Sequence, residues 1–545
     1  MLLIRNARIA TMDPVRPEAQ AAAVEREYFA CVGSNEEVEA FVRSHSHGNL
    51  QVLDMEGSFL MPGFHDSHMH FIHYVKSRLS VDLFGVTSME SLKARMREGL
   101  SRFDPDSGRF LLGEGWNHEQ FTDGRRFPTR RDLDEVSPDV PMLVMRACFH
   151  IGVLNSRAMQ MLGFSRDTVS RWGHFAEVDA DGEPNGVIKE NLLDEIKASL
   201  PSLTLDELMR LTCSAQEDLL SEGLTGIQTD DFKYAPDMQA YALMEGLRAR
   251  CHDGSLRLRI REQALLPTPE ELDEFFLLRA QEMQAGMRFR ISCVKLLADG
   301  SLGGRTAFLA APYADEPGTR GLPIYSQEEL DRLVLVSHLH GMPVAIHAIG
   351  DQAAHMAIEA VSRAQDAAPW LSPRHGLVHC QVLSPELIGR MSARGIQAFT
   401  QPVFINGDMH IALSRLGPER VRNSYAWKSL LGAGVHQSFG TDCPVEHLRP
   451  MEGIYCAVTR RDFSGSGPFL PEQALSVSDA LYAYTAGSAF AVGEEHIRGK
   501  IRPGMLADFI QLDRDLLSCP VSELLDAQVL RTWIGGECVY PVSHP

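Results

Sequence analysis

Eight short apolar runs recur along the chain, and the stretches between them carry a helical period. The runs cover residues 58–63, 224–228, 256–266, 288–297, 343–346, 376–378, 396–400 and 435–439. Each has strand length and is bounded by turn-forming or polar residues. Residues 328–340 and 351–364 repeat their apolar positions at helical spacing. Strands alternating with helices in this way predict an α/β chain folded as a closed (β/α)8 barrel of the TIM type, over about 58–490. One interval breaks the rhythm. The first run ends before His70 and the second begins at Leu224, far beyond the usual few residues of a βα connection. An insertion at about 75–215 is therefore expected over the catalytic face. Outside the barrel, residues 2–11, 51–54, 507–512 and 529–534 read as further β-segments, the last followed by the turn signal Gly535-Gly536.

The first run leads into Phe64-His65-Asp66-Ser67-His68-Met69-His70. On a strand, His68 and His70 point to the same face, because side chains alternate with a period of two. Two such imidazoles make two corners of a metal site, although a pair of hydrogen-bonded histidines has the same spacing. Order along the chain favours the metal. Lys295, His347, His379 and Asp442 follow, each in or at the end of its own run. Barrel chemistry sits at the C-terminal ends of strands, and these residues fall at or near the ends of the inferred strands 1, 4, 5, 6 and 8. Cys380 and Cys443 adjoin His379 and Asp442, so alternation turns them away from the ligand face.

Charge and cysteine usage narrow the classes. The chain has 52 basic and 72 acidic residues, a net charge of -20, which argues against nucleic acid or an anionic membrane as partner. Ten cysteines form no Cys-x-x-Cys pair and are expected as reduced thiols in a cytoplasmic protein. The N-terminus lacks the apolar core of a signal peptide. No run approaches the roughly 20 apolar residues that span a bilayer.

The sequence resembles the metal-dependent amidohydrolase superfamily, in the amidohydrolase 3 or YtcJ-like branch that includes N-substituted formamide deformylase. The resemblance is carried by Met61-Pro62-Gly63-Phe64-His65-Asp66-Ser67-His68-Met69-His70 and by Val294-Lys295-Leu296-Leu297-Ala298-Asp299-Gly300-Ser301 with Gly303-Gly304-Arg305-Thr306. It continues in His347-Ala348-Ile349-Gly350-Asp351, Val378-His379-Cys380-Gln381 and Phe439-Gly440-Thr441-Asp442-Cys443-Pro444. The resemblance implies a small β-sandwich built from both chain ends, 1–57 and 491–545, beside the barrel. It also implies a strand-4 lysine that captures carbon dioxide, so that carboxylated Lys295 bridges two zinc ions. His68, His70 and Asp442 would hold one ion, and His347 and His379 the other. An ordinary lysine paired with Asp299 or another acid is the alternative.

The expected activity is hydrolysis of a non-peptide carbon–nitrogen bond in a small-molecule amide or N-substituted formamide. Metal-activated water would attack the carbonyl, and Asp442 would carry its proton to the leaving nitrogen. Candidate substrate contacts are Trp116, Asp299, Arg305, Gln401 and Tyr425. Arg305 suits a carboxylate, or it anchors its loop on Asp299. Trp116 walls the pocket or is core of the insertion. A deaminase or cyclic-amide hydrolase would use the same barrel, and a non-catalytic regulatory homologue is the alternative outside enzymes. A homodimer is expected only from the habits of soluble enzymes.

Overall fold

A computed structural model describes residues 1–541 apart from 47, 148–149, 202, 236–238, 279–282 and 284–285. Two compact units divide the chain, Met1–His73 with Met209–Pro545, and Tyr74–Leu208.

In the first unit eight strands follow one another around a single sheet. They are Phe64–Met69, Leu224–Thr229, Arg259–Leu265, Phe289–Leu297, Val344–Ala348, Gly376–His379, Gln397–Thr400 and Gln437–Phe439. Every pairing between neighbours is parallel. The two outer strands meet just beyond their C-terminal ends. There the His70 amide donates to the Cys443 carbonyl and the Asp442 amide to the His68 carbonyl, both at 2.8 Å. The sheet is thereby a TIM-type barrel. Helices Ala240–Asp253, Gln327–Leu339, Asp351–Ala367 and Pro385–Arg394 return the chain between strands. Serine caps begin the second and fourth of these, each hydroxyl accepting a first-turn amide. Asp351–Ala367 buries an alanine-rich face, Ala353, Ala354, Ala357, Ala360 and Ala364. No helix among the described residues is long and apolar enough to cross a membrane.

The run 58–63, expected as the first barrel strand, belongs elsewhere. Phe59–Pro62 pairs with Phe509–Leu512 and with Arg8–Ala10, and the barrel strand starts at Phe64. Both strands are buried along their length, so an unbroken apolar run does not reveal where one sheet hands over to another. Gly63 makes the handover. Its amide reaches the Asp508 carbonyl at 3.1 Å while that of Phe64 reaches Gly223 at 2.9 Å. A Cβ on Gly63 would lie 2.2 Å from Thr225 Cγ2.

The chain ends form two sheets. One runs Tyr28–Gly33, Ala21–Glu25, Leu2–Arg5, Gln51–Asp54. The other runs Glu537–Tyr540, Val529–Ile534, Phe509–Leu512, Phe59–Pro62, Arg8–Ala10, Glu18–Ala19, mixing both termini. Ile4, Val24 and Phe29 from the first share one core with Leu60, Phe509 and Trp533 from the second. Tyr74–Leu208 has a six-stranded sheet of its own, with Met142–Arg146 inside it. Alternation along that strand sends Met142 and Val144 to one apolar cluster and Leu143 and Met145 to another.

Ion pairs tie the third barrel strand to the later chain. Arg259, fully buried, donates from Nε and Nη2 to the Asp508 carboxylate at 2.6 and 2.9 Å. Arg261 donates to Glu494 at 2.7 Å. Removing one partner of such a pair leaves a buried charge uncompensated, which costs about 3–5 kcal/mol. Asp508→Ala is therefore expected to destabilise the protein by about that amount, read as a lowered midpoint in chemical denaturation. A change below about 0.5 kcal/mol would show the bidentate pair to be unimportant.

Candidate metal centre

Six side chains from five strands converge at the C-terminal mouth of the barrel. Lys295 Nζ lies 3.1 Å from His68 Nε2. Asp442 Oδ1 lies 3.4 Å from His68 Nε2 and 3.1 Å from His70 Nε2. The His379 ring centre is 5.7 Å from that of His68 and 4.4 Å from that of His347. Ligand atoms of His68, His70 and Asp442 all fall within 4.8 Å of one another. His347 is the most open, and the others are buried.

The backbone bends to achieve this. His379 and Asp442 adopt φ of 77° and 59°, a left-handed conformation uncommon for residues with a side chain. Such outliers gather at functional sites, where the surroundings over-determine them. Around Asp442 the clamp is Asp66. Its carboxylate accepts the Thr441 amide at 3.0 Å, the Thr441 hydroxyl at 2.6 Å and the His68 amide at 2.9 Å.

Each histidine is also held by the nitrogen it turns away from the cluster. His68 Nδ1 donates to Gln263 Oε1 at 2.8 Å, and Gln263 is oriented by its own Nε2 donating to the Ser67 carbonyl at 3.3 Å. His379 Nδ1 donates to Gln401 Oε1 at 2.9 Å, with Gln401 Nε2 on the Phe399 carbonyl at 3.2 Å. His70 Nδ1 meets the Asp230 carbonyl at 3.2 Å, and His347 Nε2 the Gly300 carbonyl at 3.0 Å. An oxygen acceptor on one ring nitrogen fixes the tautomer and leaves a lone pair on the other. His68, His347 and His379 thus present a lone pair each, and His70 adds a fourth once its Nε2 proton, favoured by Asp442, gives way to a cation, with that carboxylate among them. That donor set fits a divalent cation.

The electrostatics agree. Asp442 Oδ1 is buried without a hydrogen-bond donor, as are both Asp230 carboxylate oxygens. Burial would raise the Asp442 carboxyl, but contact with His70 and the charges of the other histidines hold it well below the usual range. Burial lowers His70, yet the Asp442 carboxylate outweighs it and leaves that imidazole raised. Burial brings Lys295 down to about 8, opposed by Asp230 and Asp442, and His379 down to about 4. It pushes His68 and His347 well below the ordinary imidazole value.

The expected substrate contacts are scattered in role. Gln401 is engaged with His379, as above. Asp299, 3.4 Å from His347 Nε2, accepts the amides of Phe308, Ile349 and Gly350 at 2.8–3.0 Å and so pins the loops after strands 4 and 5. Arg305 does not bind Asp299. Its fork closes on Asp315 at 3.0 and 3.2 Å, beside Glu316. Tyr425 gives its hydroxyl to Asp408 at 2.5 Å. Trp116 belongs to the unit Tyr74–Leu208, where it is fully buried in an apolar cluster against Phe127. The residues expected from the sequence include neither Gln263 nor Asp230. The available signal was polarity at inward positions, Arg261 and Gln263 within a buried strand and two adjacent acids past the second.

Residues 51–540 match Amidohydro_3, the amidohydrolase family, and the chain belongs to that family. It is a hydrolase. The putative amidohydrolase YtcJ of Bacillus subtilis (strain 168) is 34% identical over 98% of each chain. N-substituted formamide deformylase of Arthrobacter pascens is 28% identical over 99% of this chain and 98% of its own. Among solved structures, an uncharacterized metal-dependent hydrolase from Pyrococcus furiosus superposes with a TM-score of 0.75 at 29% identity, covering 95% of this chain and all of the other.

Nine cysteines are free thiols, and Cys148 lies outside the described residues. The hydrogen bond from His68 to Gln263 gives a direct expectation. Gln263→Leu should weaken metal binding about 10–100-fold in chelator competition, as loss of an outer partner does elsewhere. Unchanged affinity would mean that the Gln263 amide does not orient His68.

Proposed function

We propose that the barrel mouth holds two divalent ions, zinc by its donor chemistry, and hydrolyses a small-molecule amide or N-substituted formamide. The observation that carries this reading is the set of four imidazoles, each tethered through one nitrogen, around the Asp442 carboxylate. The named relatives support the choice of substrate class, since one acts on an N-substituted formamide. His68, His70 and Asp442 would hold one ion, and His347 and His379 the other.

Lys295, once its amine took up carbon dioxide as a carbamate with loss of a proton, would supply an anionic oxygen ligand to the ions. An amine must be neutral to take up carbon dioxide, and burial at about 8 leaves a neutral fraction at physiological pH. A protonated lysine there would repel cations instead. When bound, the ions acidify water and polarise the carbonyl. Asp442 accepts the proton of the attacking water and delivers it to the leaving nitrogen, a task suited to a carboxylate that stays ionised and faces the pocket. Asp66, through Thr441, fixes the direction in which that carboxylate points. Gln263 and Gln401 keep two imidazoles in the tautomer that ligates.

Two measurements test this. Elemental mass spectrometry is expected to find near two zinc ions per chain, with sharp loss in His70→Ala and Lys295→Ala. One ion that survives Lys295→Ala would replace the bridged pair by a single-metal, deaminase-like centre. On a panel of formamides and anilides, Asp442→Asn is expected to lose at least about 100-fold in kcat. Equal rates in both proteins would sink the proton-transfer role.

A further inference from the structure

Below the histidine cluster the barrel is not filled. A cavity of about 270 Å3 lies among Gln228, Cys293, Ala345, Phe399 and Ala491, and reaches the rim at Arg374 and Gly493. Cys293 and Lys295 alternate onto the same side of the fourth strand, so the thiol sits about 7 Å nearer the N-terminal end. The space exists because small side chains stand where barrels normally carry branched ones. Ala345 and Ala491, both lining it, end at Cβ.

The cavity has both apolar and polar lining; the Ser292 hydroxyl is spent on the Glu262 carbonyl at 3.1 Å, and one polar group is unspent. Gln228 is 1% exposed, and its Nε2 has no hydrogen-bond partner. Its Oε1 already accepts Gln263 Nε2 at 3.5 Å, so the amide is turned with its N–H groups left over. A buried donor without an acceptor is costly, and native proteins rarely tolerate one. The charge at the rim is spent. Arg374 is bound by Glu495 at 2.6 and 2.9 Å and stacks 3.9 Å over Phe490. An anion would find no free cation there. By size, an apolar cavity of about 150 Å3 is enough for benzene.

We propose that this cavity is a second ligand site, separate from the histidine cluster, taking a small neutral molecule with an apolar ring or chain and one hydrogen-bond acceptor. The acceptor meets Gln228 Nε2, and the apolar part fills the space beside Cys293, Ala345 and Phe399. Through Gln228 and Gln263 the occupant stands two amides away from His68.

Acetophenone is a suitable probe, with a carbonyl acceptor, an aromatic body and no hydrolysable carbon–nitrogen bond. In calorimetric titration of the intact protein it is expected to bind saturably, one per chain. Binding should weaken about tenfold in Gln228→Leu, the value of one neutral hydrogen bond. It should vanish in Ala345→Leu, which fills the space, and persist in His70→Ala. Should Ala345→Leu fail to fold, Cys293→Phe fills the same cavity from another strand. Absence of saturable binding to the wild type would overturn the proposal, leaving water as the occupant. Binding lost in His70→Ala but kept in the filled variants would also overturn it, placing the ketone in the histidine cluster.

Discussion

The centre depends on how the barrel closes. Seven strand pairs are ordinary parallel ladders, but the eighth seam is held by two amide–carbonyl bonds made past the strand ends. Those bonds use the backbones of His68, His70, Asp442 and the adjoining Cys443. Closing the sheet and assembling His68, His70 and Asp442 are therefore one event. Asp66 reinforces the seam from within by gathering Thr441 and the His68 amide on a single carboxylate. Burial carries that carboxyl to about 7 in spite of those donors, so its position is set by geometry more than by charge.

From that seam the electrostatics follow. Concentrating imidazoles and a carboxylate in a dry space penalises every charged form except where partners repay it. The repayment is uneven. Asp442 stays ionised, the His68 and His379 rings are held neutral with a chosen nitrogen bare, and Asp230 keeps two oxygens without donors. A folded chain holds such an arrangement where the surrounding structure over-determines it.

The architecture was largely legible from periodicity. Inward and outward positions alternate, and the run lengths suit strands, so the barrel could be read from spacing alone. The candidate ligands were legible for the same reason, being polar residues at the ends of apolar runs. What escaped was whatever interrupts that contrast. Phe59–Pro62 and Phe64–Met69 are both buried, so nothing in the pattern marked the change of sheet at Gly63. Gln263 sits inside a strand, where a glutamine reads as a blemish until His68 is seen against it. Arg305 and Tyr425 carry functional groups suited to substrate, yet Asp315 and Asp408, distant or unremarkable in sequence, occupy them. Side-chain partners across long separations leave no local trace.

The buried arginines of the third strand have a consequence for biosynthesis. Arg259 and Arg261 are made long before Asp508 and Glu494, the acids that neutralise them. While the ribosome is still translating the barrel's later strands, Arg261 lacks Glu494, and Arg259 has Glu27 at 3.6 Å but not its bidentate partner Asp508. Burying these guanidiniums in full is unfavourable until the segment beyond the eighth strand has emerged. Vectorial synthesis thus ends with the step that completes these pairs, and a chain released early would be left with arginines short of their acids rather than a nearly finished enzyme.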